Sequence, residues 1–70
     1  AGDGQEYRPD RVVLQKDGSV DIIDYKFGKP EDSYIYQVRR YMRLYKAMGY
    51  AMVRGVIWYL FTGEITSVNL

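Results

Sequence analysis

Residues 10–26 read DRVVLQKDGSVDIIDYK, two apolar runs with charged ends on either side of Lys16-Asp17-Gly18. The pattern predicts two strands, Tyr7–Gln15 and Val20–Phe27, joined as a hairpin. Pro9 falls near the start of the first, where a missing N–H is tolerated. Side chains alternate between the two faces of a strand. Asp10, Val12 and Leu14 therefore share one face, and Val20, Ile22, Asp24 and Lys26 share another. The loop decides whether these faces coincide. A two-residue Asp17-Gly18 turn would oppose Asp10 to Tyr25 and leave Asp24 on the other side. A three-residue loop, Lys16-Asp17-Gly18 with Gly18 left-handed in a bulge, pairs Gln15 with Ser19. It stacks Leu14 on Val20, Val12 on Ile22 and Asp10 on Asp24. The second register is preferred because it gathers the apolar residues on one side.

That register sets two carboxylates across a hairpin with Cβ atoms about 5 Å apart, where they repel. Lys26 relieves part of the repulsion, and a divalent cation would relieve more. The chain has no His and no Cys. Oxygen ligands alone suit Mg²⁺ or Mn²⁺, and Zn²⁺ is a poor match. The competing reading is a solvated strand end with a surface salt bridge.

Outward from the hairpin, Ala1–Gln5 reads as a turn, and Gly28-Lys29-Pro30 stops the second strand. Asp32 or Ser33 can cap a helix running to about Met48, with Gly49 as its stop. Tyr34, Ile35, Val38, Tyr41, Met42, Leu44, Tyr45 and Met48 form its broad apolar face. Gln37 falls inside that sector and must be hydrogen-bonded or face a cleft. Arg39, Arg40, Arg43 and Lys46 lie opposite, a solvated stripe that also favours polyanions. Ala51–Leu60 is apolar, β-branched and aromatic, and predicts a strand buried on both faces. Thr62-Gly63-Glu64 turns the chain into a short last strand, Ile65–Val68. The expected order is β-β-α-β-β, an α+β domain with an α/β-type core.

Composition narrows the function. Seventy residues make one small domain at most, burying only about 60% of its unfolded surface. Residues 1–32 hold five basic and eight acidic residues, whereas residues 33–63 hold five basic residues and no acid. The net charge of +1 hides this segregation and excludes a polybasic or an acidic tail. No apolar run reaches the length of a membrane span, and no secretory signal opens the chain. Without Cys there is no disulfide framework, thiolate zinc site or iron–sulfur cluster within these residues. Without His the commonest general base is missing. Chemistry must rest on carboxylates, Lys, Tyr, Ser or Thr. The small size and the opening Ala1 lead us to expect a piece of a larger protein.

Three motifs together resemble the PD-(D/E)xK nuclease superfamily. Arg8-Pro9-Asp10-Arg11 matches the first half-motif, Asp24-Tyr25-Lys26 the D-x-K half-motif, and Gln37-x-x-x-Tyr41 the Q-x-x-x-Y helix motif of its RecB-like branch. Ile22–Gly28 resembles the strand end of nuclease domains at the C-terminus of bacterial helicase–nucleases of the RecB/AddA type. The similarity covers roughly residues 7–60, within a single partial domain spanning residues 1–70. The family core is α-β-β-β-α-β, so the resemblance implies a partial restriction-endonuclease-like fold lacking the opening helix and first strand. In relatives that helix can supply a further acidic or His residue, a role Glu6 does not take here.

The resemblance implies roles as well. Asp10 and Asp24 would ligate Mg²⁺ or Mn²⁺, with the backbone carbonyl of Tyr25 as a third ligand. Asp10, Asp24 and Lys26 would form the catalytic set, Lys26 orienting the attacking water and stabilising the phosphate. Gln37 and Tyr41 would position the strand or the lysine, and Arg11 and Arg40 would hold the DNA backbone. The expectation is therefore a Mg²⁺-dependent DNA exonuclease domain in the bacterial cytoplasm. Its partners would be DNA and the helicase portion of the same polypeptide or complex, with no membrane. An apolar surface left by the absent helix would promote self-association. Two alternatives are a non-catalytic DNA-binding or structural module of the same fold, and an unrelated protein–protein module using the Tyr-rich surface.

Overall fold

Gly18 takes φ +90°, the left-handed conformation that a three-residue hairpin loop requires. The Gly18 amide donates to the Gln15 carbonyl at 3.0 Å, and the Gln15 amide donates to Ser19 at 2.9 Å. The Asp17 carboxylate accepts from the Ser19 amide and hydroxyl at 2.9 and 2.7 Å, which pins the turn. The computed structural model describes residues 9–70. The expected turn at Ala1–Gln5, Glu6, the start of the first strand at Tyr7, and Arg8 of the first half-motif lie outside the described residues.

Five elements follow in the expected order: β1 (Arg11–Leu14), β2 (Val20–Lys26), α1 (Asp32–Ala47), β3 (Val53–Tyr59) and β4 (Glu64–Val68). β1 pairs antiparallel with β2, opposing Val12 to Ile22 and Leu14 to Val20. This is the register of the three-residue loop. β2 pairs parallel with β3, and α1 is the crossover that a parallel pair needs. β4 closes the sheet antiparallel to β3, giving the order β1-β2-β3-β4. The described residues thus form an α+β domain with a mixed four-stranded sheet and one helix.

The ends of α1 are locally encoded. Its N-cap is Glu31 in extended conformation, without a side-chain cap, and not Asp32 or Ser33 as expected. Asp32 instead sits in the first turn, where a carboxylate favours the exposed amides. At the other end Gly49 takes φ +110°, and the Gly49 and Tyr50 amides donate to Lys46 and Tyr45. Tyr50 also packs its ring 5.8 Å from Tyr45, the apolar contact that accompanies this type of helix stop.

α1 lays Val38, Tyr41 and Met42 on one face of the sheet, against Val20, Ile22, Ile57, Tyr59 and Val68. Leu44 and Met48, expected on the buried side, are exposed. They lie on the flank of the helix, beyond the stripe that touches the sheet. β3 also departs from expectation, because only Gly55, Ile57 and Tyr59 are buried while Arg54 and Trp58 are exposed. Among the described residues a single helix covers one face of the sheet. On the uncovered face Tyr25 and Trp58 pack against each other at 5.9 Å. Among the described residues, no helix is long and apolar enough to cross a membrane.

The helix comes closest to the sheet at Gly55. A Cβ built there would meet Met42 Sδ at 2.6 Å and Val38 Cγ1 at 2.7 Å. Met42 can turn away, but a helical Val has one preferred rotamer and cannot. Gly55→Ala should cost about 1–3 kcal/mol of stability by overpacking. Urea unfolding checks this, and an unchanged midpoint would show that α1 shifts without cost.

Candidate functional site

β2 runs from apolar to charged along its buried face: Val20 and Ile22 lie in the core, and Asp24 and Lys26 follow toward the C-terminal end. Asp10 lies one residue before β1, and continuing the ladder from Arg11↔Ile23 opposes it to Asp24. Its carboxylate accepts from the Tyr25 amide at 2.9 Å, which ties it across the hairpin. The Asp24 carboxyl is only 4% exposed. Its Oδ2 atom is buried without a hydrogen-bond partner, although the Lys26 ammonium stands 3.2 Å away.

Burial, first, and then the Asp10 carboxyl hold Asp24 above its ordinary value of 3.8, while Lys26 pulls the other way. Burial disfavours the ion, a hydrogen bond with the Asp10 carboxyl favours the protonated form, and the Asp10 charge adds a smaller push in the same direction. Two carboxyls with one ammonium between them leave net negative charge at a buried position, which a divalent cation would offset. Among the described residues, no group of three or more Asp, Glu, His or Cys comes together, so this pair stands alone.

Lys26 is held on three sides. Its ammonium pairs with Asp24, donates to the Gln37 side-chain oxygen at 3.3 Å, and lies 4.7 Å from the centre of the Tyr34 ring. Gln37 thus has the partner that a polar residue in the apolar sector requires. Tyr34 was not among the expected site residues. Its signal is spacing: it stands one helical turn before Gln37, on the same flank of α1. Lys26, Tyr34, Gln37 and Arg40 line a cleft of about 470 Å³ with Ser33 and Tyr36.

The structure brings together Asp10, Asp24, Tyr25, Lys26, Gln37 and Arg40. Tyr41 lies in the core beneath them, only 2% exposed. Arg11 is the exception. It pairs with Ile23, so it projects from the uncovered face, away from Asp24. The basic stripe also divides. Arg39 donates to the Asn69 carbonyl at 2.7 Å and Lys46 to the Ala51 carbonyl at 3.0 Å, both structural uses. Arg40 is exposed and faces the Lys26 cleft.

At the opposite end of β2 a second polar network has a different job. Arg54 donates to Asp21 at 2.6 Å and to the Ser19 hydroxyl at 3.1 Å, while Gln15 donates to Asp21 at 2.7 Å. Every charge there has a partner, and the network fastens the hairpin loop to β3.

No protein-family model, curated protein or solved structure matches this chain.

The raised Asp24 carboxyl sets a pH dependence. A carboxyl whose folded value is raised costs stability where it must ionise. The penalty is absent below 3.8 and grows as pH rises from there through the folded value. Asp24→Asn should therefore raise the melting temperature near neutral pH, and the gain should vanish below pH 3.8. Circular dichroism melts across this range check it. A lower melting temperature at neutral pH would mean that the lost Lys26 pairing outweighs the relief.

Proposed function

We propose that this chain carries the metal-binding and phosphate-binding part of a divalent-cation-dependent deoxyribonuclease of the PD-(D/E)xK type, acting as an exonuclease. The observation that carries the reading is the buried Asp24 carboxyl, set beside Asp10 and only partly compensated by the Lys26 ammonium. A repelling carboxylate pair is a poor structural element and a good cation site. The donor set fits Mg²⁺ or Mn²⁺: oxygen ligands, few in number, the pattern of ions that keep several of their own waters.

When bound, the cation would lower the pKa of a water and neutralise phosphate charge. Asp10 and Asp24 would hold it, with the Tyr25 carbonyl on the same strand as a third ligand. Lys26 would orient the attacking water and stabilise charge on the pentacoordinate phosphate as the P–O bond breaks. Gln37 and Tyr34 keep its ammonium pointed at that position, and Tyr41 anchors the helix that carries Gln37. Arg40 would grip a neighbouring phosphate in a salt-dependent, sequence-independent way. Arg11, on the far face, has no part in this groove.

On this reading the fold is the later portion of a restriction-endonuclease-like core. The chain would serve a bacterial helicase–nuclease of DNA repair and recombination in the cytoplasm, with DNA and the helicase portion as partners. The finding of two rather than three clustered carboxylates among the described residues favours one rival, a non-catalytic DNA-guiding module on the same scaffold.

Titration with Mg²⁺ or Mn²⁺, followed by amide NMR shifts, tests the site. The reading expects saturable shifts centred on Asp10, Asp24 and Tyr25, lost in Asp24→Ala. A wild-type spectrum unmoved by millimolar cation would overturn the metal site and favour the rival.

A further inference from the structure

The parallel strands β2 and β3 end side by side. Lys26 pairs with Tyr59, and the Leu60 amide donates to the Lys26 carbonyl at 2.8 Å. Just beyond these ends come Phe27 and Phe61. They are the most exposed large apolar side chains among the described residues, at 75% and 85%. A Phe in water forgoes the burial that normally stabilises it. Two of them at the same end of a sheet, one residue past Lys26 and two past its partner Tyr59, call for an occupant. The C-terminal ends of parallel strands are also where open α/β sheets receive ligands.

Both rings line one cleft of about 340 Å³, with Gly28, Lys29, Pro30 and Tyr59 along its walls and Glu64 as its acidic member. Tyr59 packs 6.4 Å from Tyr34, whose ring also covers the Lys26 ammonium. The aromatic cleft therefore adjoins the cationic cleft of Lys26 and Arg40, with Tyr34 between them. Flat aromatic walls beside a cationic track match one chemistry, a polyanionic strand whose units carry π-faces.

Resting on the nuclease reading, we propose that Phe27 and Phe61 form a stacking site for an unpaired nucleobase. The adjoining phosphate of the same strand sits at Lys26 and Arg40. Lys29 adds a cation to the lining of the cleft. A paired base inside a duplex has no free face to offer, so the site selects a strand that is single at this point. Stacking would also set the register, because the base held here determines which phosphodiester reaches Asp10 and Asp24.

Fluorescence anisotropy with a short fluorescein-labelled oligothymidylate in EDTA at low salt tests this without cleavage. Phe27→Ala and Phe61→Ala should each raise Kd about 5- to 150-fold, the range of base–aromatic stacking, with the slope of log Kd against log salt unchanged. Phe61→Tyr should restore wild-type binding. Arg40→Ala should weaken binding and flatten the salt slope. Binding to a blunt duplex should not respond to either Phe substitution. If Arg40→Ala weakens binding while both Phe variants bind as wild type, the stacking site is wrong and the phosphate groove survives. If the wild-type chain binds no oligonucleotide, the stacking site and the nuclease reading both fall.

Discussion

The left-handed turn at Gly18 is the constraint on which the rest depends. It makes the loop three residues long and sets Val12 against Ile22. A slip of one residue would send every side chain of β1 to the other face. Val12 would leave the core side, Asp10 would part from Asp24, and Arg11 would move in beside the buried carboxylate. Asp17 and the Arg54–Asp21–Gln15 network hold the same loop from outside. One register thus builds the core at one end of β2 and concentrates charge at the other.

The site works against stability. Asp24 is buried beside a second carboxyl, and the Lys26 ammonium at 3.2 Å compensates only in part. Arg54 and Asp21, on the same sheet, show what a structural ion pair looks like here: half exposed, short and fully partnered. The contrast between the two ends of β2 is the physical ground for assigning function to one and support to the other. Gln37, Tyr34 and Asp24 restrict Lys26 to one place, so its ammonium would lose little freedom in meeting a phosphate.

Much of this was legible in the sequence because the signals were local. Alternation and Gly18 decided the hairpin, Gly49 ended the helix, and the polar Gln37 among apolar neighbours marked a side chain in need of a partner. Other features depended on what packs from outside. The apolar run 51–60 reads the same whether one or two layers cover it, so the exposure of Trp58 could not be foreseen. Leu44 and Met48 fit an apolar sector, but the sheet reaches only the stripe through Val38 and Met42. Arg11 is a different case. The alternation that puts Asp10 with Val12 already puts Arg11 on the opposite face, and its basic charge alone suggested a role in the groove. Tyr34 was hidden because a tyrosine at core spacing reads as packing, and only the position of Lys26 reveals its ring as a cation's partner.

On the proposed reading, a divalent cation offsets the buried charge that Asp24 and Asp10 share. Carboxyl ¹³C NMR titration of Asp24, with and without Mg²⁺, tests it most directly. The expected result is a midpoint above 3.8 in the free protein and a clear fall when Mg²⁺ is added. An ordinary midpoint that Mg²⁺ does not move would contradict it.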